Sequence, residues 1–124
     1  MKAARAARGA AARASGRRGE WLAALLLMAK GYRILGFRLR TPQGEIDILA
    51  QRGRTLAVVE VKRRTDLTAA LDAVGVDQRE RLRRAGVNLA ARRPQLAGAA
   101  VRLDLVALAP GRFPVHIPDA WKGT

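Results

Sequence analysis

The chain has 124 residues, a formal charge of +14 from 24 Lys+Arg against 10 Asp+Glu, and no cysteine. Its length suits a single domain with its own core. The absence of thiols excludes disulfides and thiolate metal sites and suits a reducing cytoplasm. So large a cationic excess points to a polyanionic partner, with nucleic acid the expected one. Arg- and Ala-rich codon usage is the plainer source of the same charge. No long amphipathic helix carries a basic polar face, so no membrane partner is expected. The longest apolar run, Trp21 to Ala29, falls far short of the roughly 20 residues of a membrane span. Glu20 abuts that run and no clear cleavage site follows, so a secretory signal is not expected either.

Residues 1–15 are Ala, Arg and Gly with little else. They read as a disordered basic tail ahead of a single domain over 16–124. A helix is predicted from Gly16 to Lys30, capped by Gly31. Being apolar nearly all round, it is expected to be buried. Glu20 shares a face with Ala23, Ala24 and Leu27, so it should point at the protein. Tyr32 to Arg40 reads as a strand, Thr41-Pro42-Gln43-Gly44 as a turn, and Glu45 to Gln51 and Thr55 to Arg63 as two more strands. A loop then leads to a helix from about Asp77 to Arg93, with Leu82, Ala85, Leu89 and Ala90 as its apolar stripe and Pro94 just past its end. Val101 to Ala109 is another strand. Pro110-Gly111 turns the chain, and Phe113 to Ile117 is a short edge strand. The order implies an α/β fold, a mixed β-sheet of four to five strands flanked by helices.

Most of the chemistry sits in Gly44-Glu45-Ile46-Asp47-Ile48 and Val59-Glu60-Val61-Lys62. Strand alternation puts Glu45 and Asp47 on one face, and Glu60 and Lys62 on one face. A two-residue type II′ turn with Gly53 first sets Arg52 opposite Thr55, Asp47 opposite Glu60 and Glu45 opposite Lys62. A four-residue loop keeps the four on one face; a three-residue loop breaks the arrangement. Carboxylates directly opposed lie about 5 Å apart at Cβ and repel, unless a cation sits between them. Asp47 and Glu60 are thus candidate ligands of a shared Mg²⁺ or Mn²⁺, and Lys62 a candidate for orienting water or stabilising the transition state. Lys62 is one of four lysines beside twenty arginines. The same residues read equally well as a surface hairpin with an ordinary Glu45–Lys62 ion pair. His116 is the sole histidine, which excludes His-based metal sites and triads; it reads as an edge residue, and Asp104 as structural.

An Asp followed at a distance by Glu-x-Lys resembles the PD-(D/E)xK nuclease motif, with Ile46-Asp47 in place of Pro-Asp. More closely, Gly19-Glu20, Gly31-Tyr32-Arg33-Ile34-Leu35, Gly44-Glu45-Ile46-Asp47, Val59-Glu60-Val61-Lys62, Arg102-Leu103-Asp104-Leu105-Val106 and His116-Ile117-Pro118-Asp119-Ala120-Trp121 resemble the YraN-like family of bacterial proteins, related to archaeal Holliday-junction resolvases. The resemblance covers about residues 16–121. It implies the restriction-endonuclease-like fold and a metal-dependent endonuclease acting on DNA, branched or junction DNA included. It gives Glu20 the role of an auxiliary carboxylate and adds Val61 to Asp47 and Glu60 at the metal. Relatives often carry a Lys early in the second helix, where this chain has Gln78; Arg79 and Arg81 could compensate, and Arg83 extends that basic helix along a nucleic-acid backbone. The rival expectation is a nucleic-acid-binding protein of the same fold without turnover. A third is an interaction protein acting through its basic tail. A homodimer is left open.

Overall fold

The computed structural model describes residues 17–122. The basic tail expected at residues 1–15 and the helix start expected at Gly16 lie outside the described residues. Helix α1 covers 17–29. It leads into β1 (Arg33–Thr41), β2 (Gly44–Arg52) and β3 (Thr55–Arg63), then α2 (Leu67–Asp72) and α3 (Val76–Arg92), a 3-10 turn at Pro94–Leu96, β4 (Ala100–Leu108) and β5 (Val115–Ile117). The five strands form one sheet in chain order. All neighbours are antiparallel except β3 and β4, which are parallel. A parallel pair needs a long crossover, and α2 and α3 supply it. The expected mixed sheet flanked by helices is therefore the observed one. No helix among the described residues is long and apolar enough to cross a membrane.

Alternation along the central strands builds two cores. Leu56 and Val58 of β3 and Leu103 and Leu105 of β4 pack with Ala70, Leu82 and Ala85 of the crossover helices. Ala57 and Val59 face the other way and pack with Ala23, Ala24 and Leu27 of α1. Only that stripe of α1 is buried, against the expectation of a helix buried all round. Trp21, Leu22, Leu25 and Met28 are exposed, because a helix laid on an outer face of a sheet contacts it along one side alone. Trp21 has one covered edge, with Phe37 of β1 at 5.3 Å between ring centroids.

The β2–β3 turn follows its residues closely. Gly53 takes φ 58° while Arg54 does not enter the positive-φ region, which is the II′ pattern. Arg52 duly pairs with Thr55. Two local readings are corrected. Asp66 starts a helix where a loop is expected: its Oδ1 accepts from the Ala69 amide at 2.8 Å. Six residues are too few for apolar periodicity to register. The last strand begins at Val115, not Phe113, since Pro114 offers no amide to a ladder.

Asp104 is fully buried. It accepts from Arg102 Nε and Nη2 at 2.7 Å each, His116 Nε2 at 2.8 Å and the Asp119 amide at 3.0 Å. Burial opposes its ionisation, but the bonds from His116, Arg102 and Asp119 outweigh it and hold the carboxyl below the usual range. Lys30 Nζ lies 2.5 Å from His116 Nδ1. Nδ1 thus accepts and Nε2 carries the proton given to Asp104. This network ties the end of α1 and strand β5 to the sheet.

Helix α3 lies close on the sheet at Gly86. A Cβ there would meet Val58 Cγ2 at 2.7 Å and Val101 Cγ1 at 2.8 Å. Gly86→Ala should therefore lower stability by about 1–3 kcal/mol from overpacking, despite a helix-propensity gain of up to about 1 kcal/mol. Chemical denaturation measures this; a stabilised variant would mean that α3 shifts freely on the sheet.

Candidate active site

The β2–β3 ladder runs from Arg52↔Thr55 to Ile48↔Val59. Beyond that rung the strands part. The Val61 amide donates to Asp47 Oδ2 at 2.9 Å, so a side chain takes the place of a main-chain acceptor. Continuing the register would oppose Asp47 to Glu60 and Glu45 to Lys62, and neither rung forms. Two carboxylates held rigidly opposite repel, and the parting relieves this. Ile46 and Ile48, two apart on one strand, point to opposite faces: Ile46 packs in the core under α2 and α3, Ile48 in the core under α1. The chain twists between them, at Asp47.

Glu60 continues the row of Leu56 and Val58 into the interior and is 3% exposed. Its Oε1 has no hydrogen-bond partner, and its Oε2 lies 4.0 Å from Lys62 Nζ. Burial first, and then the neighbouring Asp47 charge, push the Glu60 carboxyl up to about 8, with Lys62 pulling the other way. Asp47 is also raised. Burial is the main cause, opposed by the Val61 amide and reinforced by Glu20. The two titrate as a pair. Lys62 does not bridge to Glu45, which is exposed; its nearest acid is Glu60.

Helix α1 brings Glu20 to the same place. Gly19, Glu20, Asp47, Val61, Lys62, Arg63 and Leu108 line a cavity of about 210 Å³ at the end of the sheet. Both Glu20 oxygens accept from Arg38 Nε, at 2.9 and 2.8 Å. Arg38 stands in β1 with φ 49°. Nothing in the sequence singles it out among twenty arginines; only Glu20, an acid on an inward face, signals that a cation must come to meet it. The larger cavity of about 550 Å³ between the end of α3 and β4 has arginines but no carboxylate in its lining. Chemistry therefore selects the smaller one.

The expected residues of α3 divide. Gln78 and Arg83 are half-buried and Arg81 is exposed. Arg79 is buried, its guanidinium 5.7 Å from the centre of the Trp121 ring, so it faces the interior. Arg84 pairs with Glu80 at 3.3 Å. The crossover runs α3 back along β3, which puts its first turn at the end of the sheet that carries Lys62.

Hard oxygen donors suit a hard cation. The partnerless buried Oε1 of Glu60 and the raised carboxyls of the pair are what a site lacking its counter-charge presents. Among the described residues no three His, Cys, Asp or Glu side chains form a group that could hold a metal. A cation here would thus draw on Asp47, Glu60 and the main chain at Val61, with water and phosphate oxygens completing its shell, as Mg²⁺ commonly does.

A five-stranded mixed open sheet flanked by helices is the α/β architecture of a restriction-endonuclease-like fold. The sequence pattern described as "Uncharacterised protein family UPF0102" matches residues 19–108. The chain belongs to this family, which is the YraN-like family its motifs resemble. It is 68% identical over 119 residues to a UPF0102 protein of Caulobacter vibrioides (strain NA1000 / CB15N), covering 96% of this chain and 95% of that one. It is 70% identical over 118 residues to one from Caulobacter sp. (strain K31), covering 95% and 85%. A Parvibaculum lavamentivorans relative is 49% identical over 116 residues, covering 94% and 87%.

Proposed function

We propose that this protein is a Mg²⁺- or Mn²⁺-dependent endonuclease that hydrolyses phosphodiester bonds of DNA, branched DNA included. The observation that carries the reading is the pairing of buried Glu60 with half-buried Asp47: both carboxyls are raised, and one Glu60 oxygen has no partner. A fold retains such a pair against its own electrostatics where a cation completes it. Asp47 and Glu60 hold that cation, and the Val61 amide fixes the orientation of Asp47. When bound, the cation supplies acidification of water and neutralisation of charge on the phosphate. Lys62 presents its ammonium to the same cavity, where negative charge develops on the phosphate. Glu20, clamped by Arg38, accepts a hydrogen bond from water or holds a second shell. Gln78 and Arg81, with Arg83, contact the strand backbone.

The direct test is cleavage of duplex, single-stranded and branched DNA with Mg²⁺ or Mn²⁺. The rival reading, a binder of nucleic acid without turnover, draws on the uncharged Gln78; binding with no cleavage of any substrate would favour it. Metal binding is tested separately. Asp47→Asn and Glu60→Gln should each weaken Mn²⁺ binding about 10-fold or more by calorimetry, since each removes one anionic ligand. Unchanged affinity in both variants excludes the shared cation.

A further inference from the structure

The surface beyond the candidate site continues along the C-terminal ends of β3 and β4. Arg63 and Leu108 line the site cavity and also a second cavity of about 280 Å³ that includes Arg112. Ala109 and Arg112 carry the second into a third, of about 160 Å³, between the β3–α2 loop and the β4–β5 loop. Arg64, Asp66, Leu67, Arg112, Phe113 and Val115 wall this third groove. Phe113 is 92% exposed, more than any other large apolar side chain described. Leaving a whole aromatic ring in water forgoes the burial that such a ring normally contributes. The backbone that carries the ring is nevertheless constrained. It follows a turn closed by the Arg112 amide on the Ala109 carbonyl at 3.2 Å, and Pro114 stiffens its other side.

The charges around the ring have one predominant sign. Arg64 and Arg112 flank the groove and Arg63 joins it to the site. The one acid in the groove lining, Asp66, has Oδ1 engaged by the Ala69 amide. Arg64 Nη1 donates to the Arg63 carbonyl at 2.7 Å, which steadies its guanidinium at the rim. A docking site for a protein is usually depleted of charge at its centre. An aromatic face set among guanidiniums is instead how an unpaired base is held: the ring stacks on the base while the cations meet its flanking phosphates. A regular duplex keeps its bases stacked inside and offers nothing to such a ring.

We infer that this groove is a base-stacking site, in which Phe113 takes one unpaired nucleobase of the bound strand while Arg64 and Arg112 contact its phosphates. The preferred substrate is then a nucleic acid with an unstacked base near the phosphate that enters the cavity lined by Glu20, Asp47 and Lys62. The assignment of that cavity rests on the function proposed above; the stacking itself does not require cleavage.

The test uses the full chain with two oligonucleotides, a perfect duplex and the same duplex with one unpaired 2-aminopurine. Wild type should quench the unpaired 2-aminopurine. Phe113→Ala should abolish the quench and lower affinity for that substrate about 10-fold, the loss of one stacked base, leaving duplex affinity unchanged. Phe113→Trp should restore both. Melting curves should match wild type, as the ring is almost wholly exposed. The inference is overturned if wild type gives no quench, if Phe113→Ala binds both DNAs like wild type, or if it changes only the oligomeric state in sedimentation. A Phe113-dependent quench with no cleavage under either metal would keep the base site and discard the nuclease reading. Cleavage of the unpaired-base substrate with no Phe113-dependent quench or loss of affinity would do the reverse.

Discussion

Lys62→Ala is expected to reduce turnover about 10²-fold or more while leaving DNA affinity nearly unchanged. The size is that of losing one charge-stabilising donor from a preorganised site. The small effect on affinity follows because Lys62 is one of 24 cationic side chains, and the loss of one among many positive charges changes electrostatic attraction to a polyanion little. Lys62 is also a charge that holds the Glu60 carboxyl down. If activity needs the ionised pair, it should rise with pH as Glu60 deprotonates, and the loss of Lys62 should move that rise to higher pH. Lys62→Arg keeps the charge but not the compact ammonium, so it should restore the pH profile more than the rate. Single-turnover rates across pH, with binding measured in parallel, decide this. A Lys62→Ala enzyme as fast as wild type at every pH would remove Lys62 from the chemistry.

Glu60→Gln should stabilise the metal-free protein at alkaline pH and do little in acid. In the unfolded chain Glu60 ionises near 4.5; in the fold its carboxyl is raised to about 8. Below both values the group is neutral in either state and costs nothing. As pH rises from about 4.5 to about 8 the unfolded state alone gains from ionisation, so stability falls through this window and then levels off. Asp47 is shifted in the same direction and deepens the decline. Removing the Glu60 charge should recover on the order of 2 kcal/mol at pH 8, about 5–10 °C in Tm for a domain of this size. Saturating Mn²⁺ should reverse the ranking, because the cation favours the ionised wild-type pair. Identical melting curves for wild type and Glu60→Gln at pH 8 would mean that the carboxyl is not raised.

The apolar run Leu56-Ala57-Val58-Val59 and the glycine of the β2–β3 turn are enough to place β3 and its pairing, because an apolar run and a two-residue turn are local properties. The same logic overreaches by three residue pairs. It carried the ladder through Asp47 and Glu60, where the electrostatics of the pair override register. Glu20 was legible as an inward acid from its helical neighbours, but its partner Arg38 was not, since a contact across 18 positions leaves no periodic trace. Helix α2 was hidden by its shortness. Arg79 was read with its basic neighbours on α3, although the interior ring that receives it, Trp121, comes from the far end of the chain.

The hydrogen bond from the Val61 amide to Asp47 Oδ2 also governs how this protein can be dissected. Asp47 does two jobs with one carboxylate: it closes a gap in the main-chain pattern and offers an oxygen to the cavity. An alanine scan would merge them, since Asp47→Ala strands a peptide N–H with no acceptor, at about 1–3 kcal/mol, and could inactivate the protein by loosening the strand end alone. Asparagine keeps the acceptor and removes the anion. The contrast between the two replacements, rather than either one, separates architecture from chemistry at this position.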